Sequence, residues 1–177
     1  MSSGRTLHRS RHQAVQASLA PLNLIASCLT LHTVVQSPDK RNPQWGRLSF
    51  PDNLRVPVAG PRRLSLQIEH YYGANERNGL WTVSTRSYLY HVFAADTEIV
   101  AFHWHPGVTA FDGPHAHFRN LNHPFPMGKA HIPTDRTSLE SVVRPLVDEL
   151  GVAPARPDWK AVLARTERHF TDARSWH

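Results

Sequence analysis

The stretch Leu80 to His105, LWTVSTRSYLYHVFAADTEIVAFHWH, decides the fold. Its first half, Leu80 to Phe93, is rich in Trp, Val, Thr and Tyr, residue types that suit the pleated backbone of a strand. Ala94-Ala95-Asp96-Thr97 turns the chain, and Glu98 to His105 returns beside it, so the two runs read as a hairpin. In a strand successive side chains point to opposite faces. Val100, Phe102 and Trp104 therefore form a bulky apolar face, and Ile99, Ala101, His103 and His105 share the other.

Upstream, Leu64, Leu66, Ile68, His70 and Tyr72 alternate with Ser65, Gln67, Glu69 and Tyr71, the pattern of a strand with one buried and one wet face. The alternation Leu29, Leu31, Thr33, Val35 within Leu22 to Val35 predicts a first strand. Arg9 to Leu19 reads as a short helix capped by Ser10, with Val15 and Leu19 on one side. Downstream the period changes to that of a helix. Thr137-Ser138-Leu139-Glu140 has capping-box spacing with Glu140 at the third helical position. Leu139, Val142, Val143, Leu146 and Leu150 form an apolar stripe interrupted by Pro145, and Gly151 is placed to end it. A second helix starts near Pro157-Asp158, with Trp159, Val162, Leu163, Thr166 and Phe170 along one stripe. The expected fold is α+β: a single-domain antiparallel β-sheet of hairpins covered by an N-terminal helix and two C-terminal helices. Residues 1–12, with Arg5, Arg9 and Arg11, read as a basic flexible arm, and 13–177 as the single domain.

Composition narrows the function classes. The 177 residues carry a formal charge of +6, which favours polyanionic partners such as nucleic acid. The single cysteine, Cys28, excludes an internal disulfide and a thiolate metal cluster and fits a reducing cytoplasm. Ile25-Ala26-Ser27-Cys28 has the form of a lipoprotein cleavage box, but the preceding apolar stretch is broken by Gln13, Gln16, Pro21 and Asn23. No run reaches the ~20 apolar residues of a membrane span. A cytoplasmic protein with no membrane partner is the expectation.

Six of the thirteen histidines, His103, His105, His115, His117, His123 and His131, fall within one short segment. Two pairs have the form His-X-His, which on a strand puts both imidazoles on one face, about 7 Å apart. Imidazole titrates near neutral pH, binds transition metals and transfers protons. One reading is metal-free general acid–base cleavage of RNA. His115 or His117 with His131 would act as base and acid, and Lys129, Arg119 or Arg136 would steady the phosphorane. Trp104 and Tyr90 would stack on bases, with His103 and His105 contributing to substrate binding. This reading needs no cofactor. The alternative is a metal-dependent hydrolase or oxygenase in which His103, His105, His115 and His117 ligate Zn, Fe or another divalent ion, with Asp112 or Glu98 as a carboxylate. A third reading is a binding protein in which the histidines only shape a surface. His123, followed by Pro124, reads as a loop bystander.

The block from Tyr88-Leu89-Tyr90-His91 through Ala101-Phe102-His103-Trp104-His105-Pro106, Pro114-His115-Ala116-His117 and Lys129-Ala130-His131-Ile132-Pro133-Thr134 resembles the TumE-like toxins of bacterial type II toxin–antitoxin systems. The resemblance spans residues 80–150. It implies an antiparallel sheet with flanking helices, a growth-inhibiting ribonuclease activity at His115 and His117 with His103 and His105 beside them, and a helix-turn-helix antitoxin as partner. The longer N-terminal half, the second terminal helix and the insertion His123-Pro124-Phe125-Pro126 depart from that pattern.

Overall fold

The computed structural model describes residues 7–107, 111–119 and 130–172. It is an α+β fold on one antiparallel sheet. Helix α1 spans Arg11–Ala26. The strands follow as β1 (Val35–Pro38), β2 (Trp45–Ser49), β3 (Val56–Pro57), β4 (Leu64–Arg77), β5 (Leu80–Ala94), β6 (Thr97–Trp104), β7 (His115–Phe118) and β8 (Ile132–Pro133). Helices α2 (Leu139–Asp148) and α3 (Trp159–Asp172) close the described chain. The strand order is β1-β2-β4-β5-β6-β7-β8, with β3 also pairing β4.

The deciding hairpin forms as expected. β4 and β5 pair from Leu64 opposite Ala94 to Arg77 opposite Leu80, and β5 and β6 join through a tight turn in which Ala95 takes a positive φ of 49°. The alternation on β4 does what it promised: Leu64, Leu66, Ile68 and Tyr72 are buried, while Ser65, Gln67, Glu69 and Tyr71 keep partial contact with solvent. With Tyr88, Tyr90 and Val92 of β5 they form the sheet side of the core. Val15, Leu19, Leu22 and Ile25 of α1, Val142, Val143 and Leu146 of α2 and Val162 and Leu163 of α3 close it. All three α-helices thus lie on one face, and among the described residues no α-helix covers the other. None is long and apolar enough to cross a membrane.

Two expectations are corrected. Leu22 to Val35 is not a strand: α1 continues to Ala26, and β1 begins only at Val35. Val15, Leu19, Leu22 and Ile25 follow helical spacing and bury one stripe, which outweighs the strand-like alternation beyond it, where Leu31 is 94% exposed. The Asn23 side chain then holds the connection by accepting from the Val34 amide at 2.6 Å and donating to its carbonyl at 3.0 Å. The cap of α2 is Ser138, whose hydroxyl accepts from the Ser141 amide at 3.2 Å, and Glu140 is buried at the second helical position. Thr137 therefore lies one residue before the cap, its amide donating to the buried Tyr88 hydroxyl at 2.8 Å.

Residues 7–12 fall within the segment read as a basic arm. His8 exchanges backbone hydrogen bonds with Trp81, Ser10 caps α1 by accepting from the Gln13 amide, and Arg11 is its first residue.

Candidate metal centre

The register of three strands assembles the histidines. On β6 and β7, Ala101 lies opposite His117 and His103 opposite His115. These four positions share one side of the sheet, the side away from the helices. Pro133 of β8 pairs with His115, which brings the preceding His131 to the same place. The imidazoles of His103, His115 and His117 have their ligand atoms within 4.8 Å of one another. His131 packs 4.7 Å, ring centroid to centroid, from both His115 and His117. His105 lies 5.6 Å from His103 and 5.4 Å from His115.

His115 has the most defined chemistry of the five. It is 1% exposed, and its Nδ1 lies 2.9 Å from the Gly113 carbonyl oxygen. A carbonyl only accepts, so Nδ1 carries the proton and Nε2 presents a lone pair. That Nε2 is buried with no hydrogen-bond partner among the described residues, and so is Nε2 of His103. A backbone carbonyl on one ring nitrogen and a bare lone pair on the other is the arrangement of a metal-ligating histidine. Nitrogens ~2.1 Å from a tetrahedral ion stand ~3.4 Å apart, so ring rotations of about an ångström would gather the three.

The electrostatics agree with neutral rings. Burial, followed by the neighbouring His91, His117, His115 and His105, pushes His103 down to about 3. Burial and adjacent imidazoles also lower His105 and His117, with Glu98 opposing weakly at His117. Crowding that disfavours imidazolium favours the form that binds a cation. Phe111 closes one side, edge-on to His115 at 5.2 Å and stacked on His131 at 5.7 Å.

Neither carboxylate considered as a ligand joins the cluster. Glu98 accepts from His91 Nδ1 at 2.6 Å, and Asp112 accepts from the Gly107 amide at 2.9 Å, tying down the chain after β6. His91 is a member that sequence reasoning passed over: its ring lies 4.9 Å from that of His103. The signal was its position on β5 opposite Ala101, which is visible only once the β5–β6 register is known.

The structure disperses the residues expected to handle RNA. Tyr90 is 2% exposed, stacked on Tyr88 at 4.9 Å within the core, and has no surface for a base. Trp104 points to the helix side of β6, where the Arg136 guanidinium covers its ring at 3.4 Å, so both lie across the sheet from the imidazoles. Arg119 follows β7 as an exposed residue whose amide donates to the Ile99 carbonyl. Lys129 and His123 lie outside the described residues. Cys28 is buried in the core, and burial raises its thiol pKa, so it supplies neither a ligand nor a nucleophile.

No protein-family model, curated protein or solved structure matches this chain.

Proposed function

We propose that the protein is a metal-dependent hydrolase whose ion is held by His103, His115 and His117 on the uncovered face of the sheet. The observation that carries this reading is His115: a buried imidazole with its tautomer set by the Gly113 carbonyl and an unpartnered Nε2 directed among other histidines. A buried polar atom without a partner costs about 1–3 kcal/mol, and a ligated ion would offset that cost. The donor set favours zinc. Three imidazoles with an open position form a common catalytic zinc site, whereas non-haem iron oxygenases use two histidines and a carboxylate. Among the described residues no carboxylate converges with the three.

When bound there, such an ion would acidify a coordinated water to a pKa of ~7 and polarise the bond to be cleaved. The protein's own groups do the rest. The Gly113 carbonyl orients His115, and Phe111 packs edge-on against the buried His115 ring and stacks on His131. His91, with Glu98 on its Nδ1, is placed beside His103 to accept a proton and to share its charge with the carboxylate. His131 and His105 flank the triad as further ligands or substrate contacts.

The test is elemental analysis of untagged protein followed by zinc titration, with hydrolysis of phosphate-ester and RNA substrates measured before and after EDTA. One ion per chain is expected, lost in His103→Ala and His117→Ala together with activity. Metal-free protein that still cleaves RNA in EDTA, and stops doing so in His115→Ala, would establish the acid–base ribonuclease instead.

A further inference from the structure

The uncovered face carries a groove of about 450 Å³ beside the histidines, a volume suited to a small molecule. Trp45, Arg47, Tyr71, Arg86, Ser87 and His105 line it. His105 belongs to both places. It walls the groove and lies 5.4 Å from the His115 ring.

The backbone places Arg86 here. Tyr71 pairs with Ser87 but Tyr72 pairs with Thr85, so Arg86 is the extra residue of a bulge in β5. Bulges redirect the side chain they carry, and they concentrate near binding sites. The redirected stem crosses Gly73, where a Cβ would come within 3.4 Å of Arg86 Cδ, and the guanidinium ends 4.0 Å above the Trp45 ring. Trp45 and Gly73 pair across β2 and β4, so stem and ring use adjacent positions on the same face. The aromatic ring fixes the plane of the guanidinium but leaves its edge N–H groups unused. Among the described residues no carboxylate lies within 4 Å of Arg86.

Arg47 adds a second positive charge, partly compensated by Glu69 at 3.6 Å. The acid lining the groove is Asp39, and its Oδ1 is occupied by the Arg41 and Asn42 amides. Arg86 is thus the groove's cation without a carboxylate against it among the described residues, held flat and placed to make paired hydrogen bonds to two oxygens of one anion.

We infer that this groove binds the anionic end of the substrate, a phosphate or a carboxylate, through Arg86 with support from Arg47, and directs the adjoining bond past His105 toward the histidine centre. The inference rests on the metal-dependent reading for its reaction, but the anion site stands on its own geometry.

Isothermal titration of inorganic phosphate and, separately, of succinate into apo and zinc-loaded protein tests it and distinguishes the two chemistries. One site per chain is expected, present without zinc and weakened at least tenfold in Arg86→Gln, with zinc stoichiometry unchanged. Arg86→Lys should recover only part of the loss, because an ammonium cannot make the paired contact. Arg86 is exposed, so these variants should keep the wild-type melting curve. Phosphate binding that depends on Arg86 in a protein that takes up no zinc would support the groove and overturn the metal reading. Zinc uptake without saturable binding of either anion, or equal affinities in wild type and Arg86→Gln, would overturn the groove alone.

Discussion

Replacing His115 by leucine separates a ligand from a packing residue. In the apo protein, leucine removes the hydrogen bond to Gly113, a loss of about 1 kcal/mol, and also removes an unsatisfied buried nitrogen worth about 1–3 kcal/mol. The two contributions oppose each other, and leucine fills a similar volume at a position only 1% exposed. Apo stability should therefore change by no more than about 1–2 kcal/mol. Zinc affinity should respond differently. Structural zinc sites bind with about 10–16 kcal/mol over four ligands, or roughly 3 kcal/mol per ligand, so losing one should weaken binding about 100-fold. Urea unfolding with and without zinc reads both effects. At zinc 1,000-fold above the wild-type Kd the wild type gains about 4 kcal/mol, and the variant, then only about 10-fold above its own Kd, gains about 1.4 kcal/mol. Equal zinc-dependent stabilisation in the two proteins would refute ligation by His115. An apo loss above about 3 kcal/mol would show the imidazole to be a structural element.

Three further outcomes follow from contacts away from the centre. Gly46→Ala places a Cβ within 2.4 Å of the hydroxyl of Tyr72, itself 1% exposed, and should destabilise by about 1–3 kcal/mol in chemical denaturation. Asn23→Ala strips both partners from the backbone of Val34, which is 2% exposed, and should cost about 2–3 kcal/mol, with the Val34 amide losing protection in hydrogen exchange. His70 lies between the hydroxyls of Tyr90 and Thr85, and burial pushes it down to about 4, below the ~6.5 of an unfolded chain. Between these values the unfolded chain binds the proton preferentially, so the contribution is complete above pH 6.5 and lost as pH falls toward 4. The loss is at most about 3 kcal/mol, reduced by the residue's partial exposure, and His70→Gln should flatten the stability profile in that window.

What the sequence made legible was periodicity. Leu64 to Tyr72 and Val100 to Trp104 alternate so regularly that strand, face and hairpin follow from them, and the same parity placed His103 with His105 and His115 with His117. It failed where periods compete. Leu29 and Leu31 look like a strand, but the helical stripe running through Leu22 and Ile25 carries the burial. It failed also where nearness in sequence stood in for nearness in space. Trp104 adjoins two site histidines yet by its own alternation faces the opposite layer, and Tyr90 and Arg136 follow it there. His91 is twelve residues from His103, and only the pairing of β5 with β6 brings the two rings together. The bulge that directs Arg86 leaves no mark in composition, because one unpaired residue in a long strand changes no pattern over the flanking residues.

Strand β7 is four residues long, and its buried anchors are His115 and Ala116, since Phe118 is 42% exposed. A slip of one residue along β6 would send both histidines through the sheet and put Ala116 and Phe118 in their place. So short a strand, with so little apolar surface to hold it, has a weak preference for one alignment. An ion clasped between His103 and the two histidines of β7 would supply that preference, acting as a rivet that tolerates only one alignment. The affinity of the centre and the order of this edge of the sheet would then be one quantity, and the amides of β7 would exchange with solvent more slowly as the centre fills.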